Sequence, residues 1–172
     1  GAASPKQSAY ARYFEDGEGE NARGLHAIEV LSRESAFDLD KLVAAAYDPH
    51  LTAFDALLPA LARDFDALRA GDARKDALRA TVTLLRAWDR KSAVTSVETT
   101  LATYWGEELY TRVRTDPDAE GTALLTFMAR GATPEQRLGA LEAAMARLTA
   151  DFGDWRTPWG EVNRFQRLTG DI

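Results

Sequence analysis

His26 and His50 are the only imidazoles in a chain of 172 residues, so general acid–base chemistry near neutral pH would fall to them first. Neither stands in a set that would perform it. No serine, histidine and aspartate occur at nucleophile-elbow spacing. His26 has the apolar Ala22 and Val30 one helical turn to either side, which reads as a packing residue with one satisfied nitrogen. His50 follows Asp48-Pro49 and reads as the decoration of a turn. Carboxylates such as Asp38, Asp40, Glu107 and Glu108 could pair for acid–base work. With 27 acidic residues in the chain, however, accidental pairs are unavoidable, and these read as solvated faces. The HExxH spacing, the glycine-rich phosphate loop and the EF-hand loop are all missing, so neither a metal nor a cofactor is expected. There is no cysteine, which excludes disulfides, thiolate metal sites and a cysteine nucleophile but leaves cytosol and periplasm equally open.

The other chemistry-bearing cluster is the C-terminal tail, where Arg156, Arg164 and Arg167 interleave with Trp155, Trp159 and Phe165. Guanidinium and aromatic planes in this order can stack on bases or on one another. The net charge of -6 gives no attraction to phosphate backbones or anionic lipid, so packing is favoured and neither nucleic acid nor membrane is an expected partner. Pro158 and Gly160 interrupt the backbone, and the tail is expected to be a loop that docks on a surface outside this chain. On this reading the sequence is a cut-out of a larger protein.

The elements that would position these residues are helical. Hydrophobic content of 45% with 28% charged residues is ordinary for one soluble globular domain. No apolar run approaches the length that spans a bilayer, and no signal peptide is present. From Glu20 to Phe152 the apolar residues recur with the 3.6-residue period. Thr133-Pro134-Glu135-Gln136 announces a helix by its cap, its N1 proline and its capping box, with Leu138, Leu141, Met145, Leu148 and Phe152 inward and Gly153 as the stop. Others are expected after Asp38 (Leu39, Leu42, Val43, Ala46), from Thr52 to Leu68, from Asp72 to Trp88, and from Val94 to Val113. Pro59 within the helix from Thr52 to Leu68 predicts a kink or a break into two shorter helices. Asp116-Pro117 opens a further helix with Leu124, Leu125, Phe127 and Met128 apolar, closed by Gly131. The expected architecture is all-α, an irregular bundle of about six to seven helices over residues 20–153. Residues 1–19 form an extended arm and 154–172 the Trp/Arg-rich loop tail.

Four blocks in register carry a resemblance: Glu20-Asn21-Ala22-Arg23-Gly24-Leu25, the helix from Leu42 to Asp48, Leu85-Arg86-Ala87-Trp88-Asp89, and Trp155 to Arg164. Together they resemble the β-chain of the penicillin amidase family, which includes penicillin, acyl-homoserine-lactone and lipopeptide acylases. The resemblance implies an N-terminal-nucleophile hydrolase, in which a new N-terminal serine attacks an amide carbonyl with its own α-amine as base. This chain starts with Gly1, so the resemblance implies a helical subdomain without a catalytic residue of its own, set between the sheets of the parent acylase. It also implies a small acyl amide as the intact enzyme's substrate and a periplasmic or secreted location. Arg23 matches an arginine that orders the family's site. The oxyanion-hole asparagine would fall around or before Gly1 and has no match here. Taken without the resemblance, Arg23 is a helix-start arginine paired with Glu20 or another carboxylate. The alternative for the whole chain is a stand-alone helical protein-interaction module.

Overall fold

Capping side chains mark where most of the helices begin. In the computed structural model, which describes residues 21–164, eight α-helices follow one another: α1 (Ala22–Ser32), α2 (Leu39–Ala46), α3 (Ala53–Asp66), α4 (Ala73–Ala87), α5 (Val97–Val113), α6 (Leu124–Arg130), α7 (Pro134–Phe152) and α8 (Trp159–Val162). Asn21, Asp38, Asp72, Ser96 and Thr133 each accept a hydrogen bond from a backbone N–H in the first turn of the helix that follows, which satisfies donors the helix itself cannot. At α7 the capping box is complete: Gln136 N donates to Thr133 Oγ1 at 3.1 Å and Thr133 N to Gln136 Oε1 at 2.7 Å. Gly153 closes α7 in the left-handed conformation, φ 88°, where a Cβ would be penalised. Among the described residues there is no β-strand, only an isolated bridge between His50 and Lys91. No helix of the described residues is long and apolar enough to cross a membrane.

The core is assembled around α5 and α7, the most extensive helix pair, with α3, α4 and α6 laid against them. Leu101, Ala102, Trp105, Leu109 and Val113 of α5 and Ala140, Leu141, Ala144 and Leu148 of α7 are wholly shielded from water. Removing so much apolar surface from solvent is the main stabilising term. Through the centre runs a buried ion pair. Arg137 of α7 and Asp64 of α3 are 2% and 5% exposed, and Arg137 Nε donates to Asp64 Oδ2 at 2.6 Å. Arg137 Nη1 donates to Met128 O of α6 at 3.0 Å, and Arg137 O accepts from Trp105 Nε1 of α5, also at 3.0 Å. At the rim, Arg74 of α4 straps down α7 by donating to both Glu135 and Glu142. The Arg74 guanidinium holds the Glu135 carboxyl below the usual carboxylate range.

Several expectations change on contact with the structure. Pro59 neither ends nor splits α3, which stays one helix from Ala53 to Asp66. Pro59 is exposed, so the hydrogen bond it forfeits to Asp55 O leaves that carbonyl on the water side. The segment opened by Asp116-Pro117 is a 3-10 turn, Pro117–Ala119, separated from α6 by Gly121 at φ 74°. Phe152, expected inward, is 42% exposed, and Met145 is only partly buried.

The tail differs more. Part of it has a partner within this chain, where α8 supplies a helical turn and docks: Trp159 N donates to Ser96 O at 3.0 Å and Gly160 N to Val94 O at 2.8 Å. The expected stacking is present, with the Arg156 guanidinium 4.1 Å above the Trp155 ring. Gly160 is what allows the approach, because a Cβ there would stand 2.5 Å from Val94 Cγ1 and 3.0 Å from Val94 O. The arm expected over residues 1–19, and Phe165, Gln166 and Arg167 of the tail, lie outside the described residues.

Two substitutions test this picture. Asp64→Ala leaves a bare guanidinium in the core and should cost about 3–5 kcal/mol in chemical denaturation, whereas Asp64→Leu combined with Arg137→Met should come within about 1–2 kcal/mol of the native chain or exceed it. A tolerated Asp64→Ala would show that the pair is not a keystone. Gly160→Ala should destabilise by about 1–3 kcal/mol through overpacking against Val94, read as a lowered Tm together with increased Trp fluorescence quenching by acrylamide. An unchanged Tm and quenching would remove Gly160 from that role.

Candidate functional site

The two histidines singled out from the sequence meet at one place, the junction between α1 and the connector Tyr47–Thr52. α1 turns Ala22, His26 and Val30, spaced by one turn each, toward the body of the molecule, and Val30 is its only buried residue. His26 Nδ1 lies 2.9 Å from Thr52 Oγ1, and Nε2 lies 3.5 Å from Asp48 Oδ1 without a hydrogen-bond partner. With the proton on Nε2, Thr52 is the donor to Nδ1 and the remaining N–H faces the carboxylate. Asp48 Oδ1 also accepts from His50 N at 3.0 Å, and Oδ2 accepts from Arg33 Nη1 at 2.9 Å. The His50 backbone N–H, with the Arg33 guanidinium behind it, holds the Asp48 carboxyl below the usual carboxylate range against the opposing effect of burial. His50 Nε2 bonds Asp55 Oδ2 at 2.8 Å, and Asp55 Oδ1 faces Arg90 Nε at 2.6 Å. The two imidazoles stand 6.0 Å apart.

His26 therefore has the one satisfied nitrogen expected of it. His50 does more than decorate a turn. It forms an antiparallel bridge with Lys91, flanked by Leu51 N to Arg90 O at 2.8 Å and Ser92 N to Pro49 O at 2.9 Å. Sequence reasoning missed Thr52 and Asp55 as partners, and treated Asp48 only as a helix stop. The signal available was the Asp-Pro-His step itself, since an Asp two residues before a backbone N–H commonly accepts from it.

A hydroxyl, an imidazole and a carboxylate in this order have the composition of a nucleophilic triad, but the site lacks the rest of one. Asp48 is beyond good hydrogen-bonding distance of His26. A groove of about 200 Å³ between α1 and α2 is lined by Val30, Arg33, Glu34, Phe37, Lys41 and Asp48, and another of about 280 Å³ by Leu84, Val97, Glu98, Trp155 and Arg156. Neither opens onto Thr52. No group of three or more His, Asp or Glu side chains is placed to hold a metal ion among the described residues. What these contacts can do is hold α1 in place. Arg23 stands apart from them in the first turn of α1, exposed, and its guanidinium has no hydrogen bond or ion pair among the described residues.

Among the described residues the body is all-helical, and the polar side chains at this junction hold helices together. The sequence pattern of the penicillin amidase family matches residues 3–170, and the chain belongs to that family. No curated protein and no solved structure gives a significant match.

The Asp48 carboxyl titrates lower folded than unfolded, so its contribution to stability is complete above the ordinary carboxylate range and is lost as pH falls through its depressed value. Asp48→Asn should therefore lower Tm at pH 7, and the gap to the native chain should close on acidification below the ordinary carboxylate range. A gap that stays constant with pH would assign the effect to packing.

Proposed function

We propose that the chain is the helical subdomain of a penicillin-amidase-type acylase that, when intact, hydrolyses a linear amide between an acyl group and an amine. The observation that carries this reading is the family match over residues 3–170. It is supported by an apolar surface on α1 and α2 that nothing in the described residues covers. Leu25, Ile28 and Leu31 line one side of α1, and Leu39, Leu42, Val43 and Tyr47 one side of α2; Leu39 is 75% and Tyr47 81% exposed. α2 buries no residue at all. A contiguous apolar face of this kind is unusual on a monomer and ordinary at an interface. In the proposed parent it packs against the remainder of the acylase, and the periplasm or the cell exterior is the proposed location. Within that assembly the nucleophile and oxyanion donors come from outside this chain, and Arg23 is the residue of this chain that orders the site. An exposed guanidinium with no partner among the described residues suits a role completed by another segment.

The same face is what a stand-alone interaction module would present, and the two readings part on the surrounding reading frame. A serine-led segment upstream supports the acylase, and native termini near Gly1 and Ile172 support the module.

Two outcomes are expected. The purified chain should show no turnover of phenylacetyl or fatty-acyl amides, because proton transfer and oxyanion stabilisation each supply orders of magnitude that this chain cannot. In the intact acylase, Arg23→Ala should lower kcat by about 10- to 100-fold with little change in Tm, as expected for a group acting on developing charge. Normal turnover in that variant would reduce Arg23 to a surface arginine.

A further inference from the structure

We infer that Asp48, together with His26, Thr52 and Arg33, is a positioning clamp that sets the place of Arg23 relative to the helical body; the inference rests on the acylase reading given above. α1 does not share in the main core. Val30 is its single buried residue and lies outside the cluster formed by α3 to α7, and the apolar stripe of Leu25, Ile28 and Leu31 faces away. Non-directional burial therefore cannot determine how α1 is rotated or tilted, and directional polar contacts must.

The polar contacts of α1 are suited to that task. Two residues of α1 and its cap, seven positions and nearly two turns apart, converge on the two oxygens of one carboxylate. Arg33 Nη1 donates to Asp48 Oδ2 at 2.9 Å, and His26 Nε2 faces Oδ1 at 3.5 Å while Thr52 holds its other nitrogen at 2.9 Å. Two attachment points, Arg33 on Asp48 and His26 on Thr52, fix rotation as well as position, which a single one does not. Asp48 is itself held by His50 N, in a connector zipped to Arg90–Ser92 by Leu51 N to Arg90 O and Ser92 N to Pro49 O. The remaining charges facing the clamp are Glu29, which shares Arg33 at 2.9 Å, and the Asp55–Arg90 pair beneath His50. Arg23 is three residues from His26, so one helical turn separates the residue being placed from the ring that is held.

The test is a double-mutant cycle in the intact acylase with kcat, KM and Tm measured for each variant. Asp48→Asn keeps an acceptor for His50 N but loses the charge that draws Arg33 and His26. It should lower kcat on the order of tenfold with KM little changed, since small misplacements of a catalytic-site group are costly. In an Arg23→Ala background it should lower kcat no further, because a clamp that acts through Arg23 has nothing left to place. Thr52→Val should behave like Asp48→Asn, and Thr52→Ser, which keeps the hydroxyl, should restore native kcat. Additive losses from Asp48→Asn and Arg23→Ala, or Thr52→Ser as impaired as Thr52→Val, would overturn the clamp while leaving the acylase reading intact. Normal turnover in Arg23→Ala would instead defeat the reading of Arg23 and the clamp with it. A second measurement applies to the chain as it stands: in Asp48→Asn, amide hydrogen exchange over Ala22–Ser32 should speed by about tenfold, with α5 and α7 unchanged. Unaltered exchange in α1 would also overturn the inference.

Discussion

The arrangement of the helices depends on one pair of charges that has no access to water. Burying a guanidinium and a carboxylate costs more than their attraction returns unless every remaining donor and acceptor is placed, and here the placing residues come from four helices. Asp64 of α3 takes Nε of Arg137, Met128 O of α6 takes Nη1, and the Arg137 carbonyl takes the indole N–H of Trp105 in α5. α3, α5, α6 and α7 must therefore sit in one register for any of these bonds to form. Apolar contact among Leu61, Leu101, Leu109, Leu141 and Leu148 supplies the driving force, but it would tolerate sliding by a fraction of a turn. The ion pair does not.

Outside this centre the molecule changes character. α4 is strapped to α7 by Arg74. α8 is hung on the Val94–Ser96 backbone, and α1 and α2 are held chiefly by polar contacts at Asp48. The gradient from an apolar, charge-locked interior to a rim fastened by salt bridges agrees with a unit built to adjoin something else. In the proposed acylase, the leucines of α1 and α2 that the described residues leave exposed would face the remainder of the protein.

Much of the helical content was legible because its signals are local. The Thr-Pro-Glu-Gln start and Gly153 stop of α7 act within one turn, and the Asp38 and Asp72 caps do the same. The stripe on α2 was equally legible as a stripe, but a period cannot say whether the surface it meets lies in the same chain, and here the described residues leave it bare. Of the two outcomes expected of Pro59, the break into two helices does not occur, because proline's cost depends on which way the lost carbonyl faces, a property of the packed α3 and not of its sequence. The tail's contact within the chain was hidden for a related reason. Its tryptophans and Pro158 read as a loop for an external surface, while Gly160, the feature that fits it against Val94, owes its meaning to a segment more than sixty positions upstream. The His26–Asp48–Thr52 junction joins residues up to 26 positions apart, and nothing in their spacing announces it. Arg23 was singled out by resemblance alone, and the structure adds only that it is exposed on the first turn of α1.

The separation of Asp64 from Arg137, 73 positions along the chain, also bears on how the molecule comes into being. During synthesis α3 leaves the ribosome with Phe54, Leu57, Leu61 and Phe65 on one apolar stripe, and α4 can meet part of it before α7 exists. At typical elongation rates of 5–20 residues per second the wait is about 4 to 15 s. α5 and α7, joined by Trp105 and Arg137 only 32 positions apart, can pair as soon as α7 emerges, and only then can Asp64 of α3 meet Arg137. For several seconds the nascent chain thus carries a carboxylate on the apolar side of α3 without its guanidinium partner, which makes α3 the segment on which a ribosome-associated chaperone would have most to do.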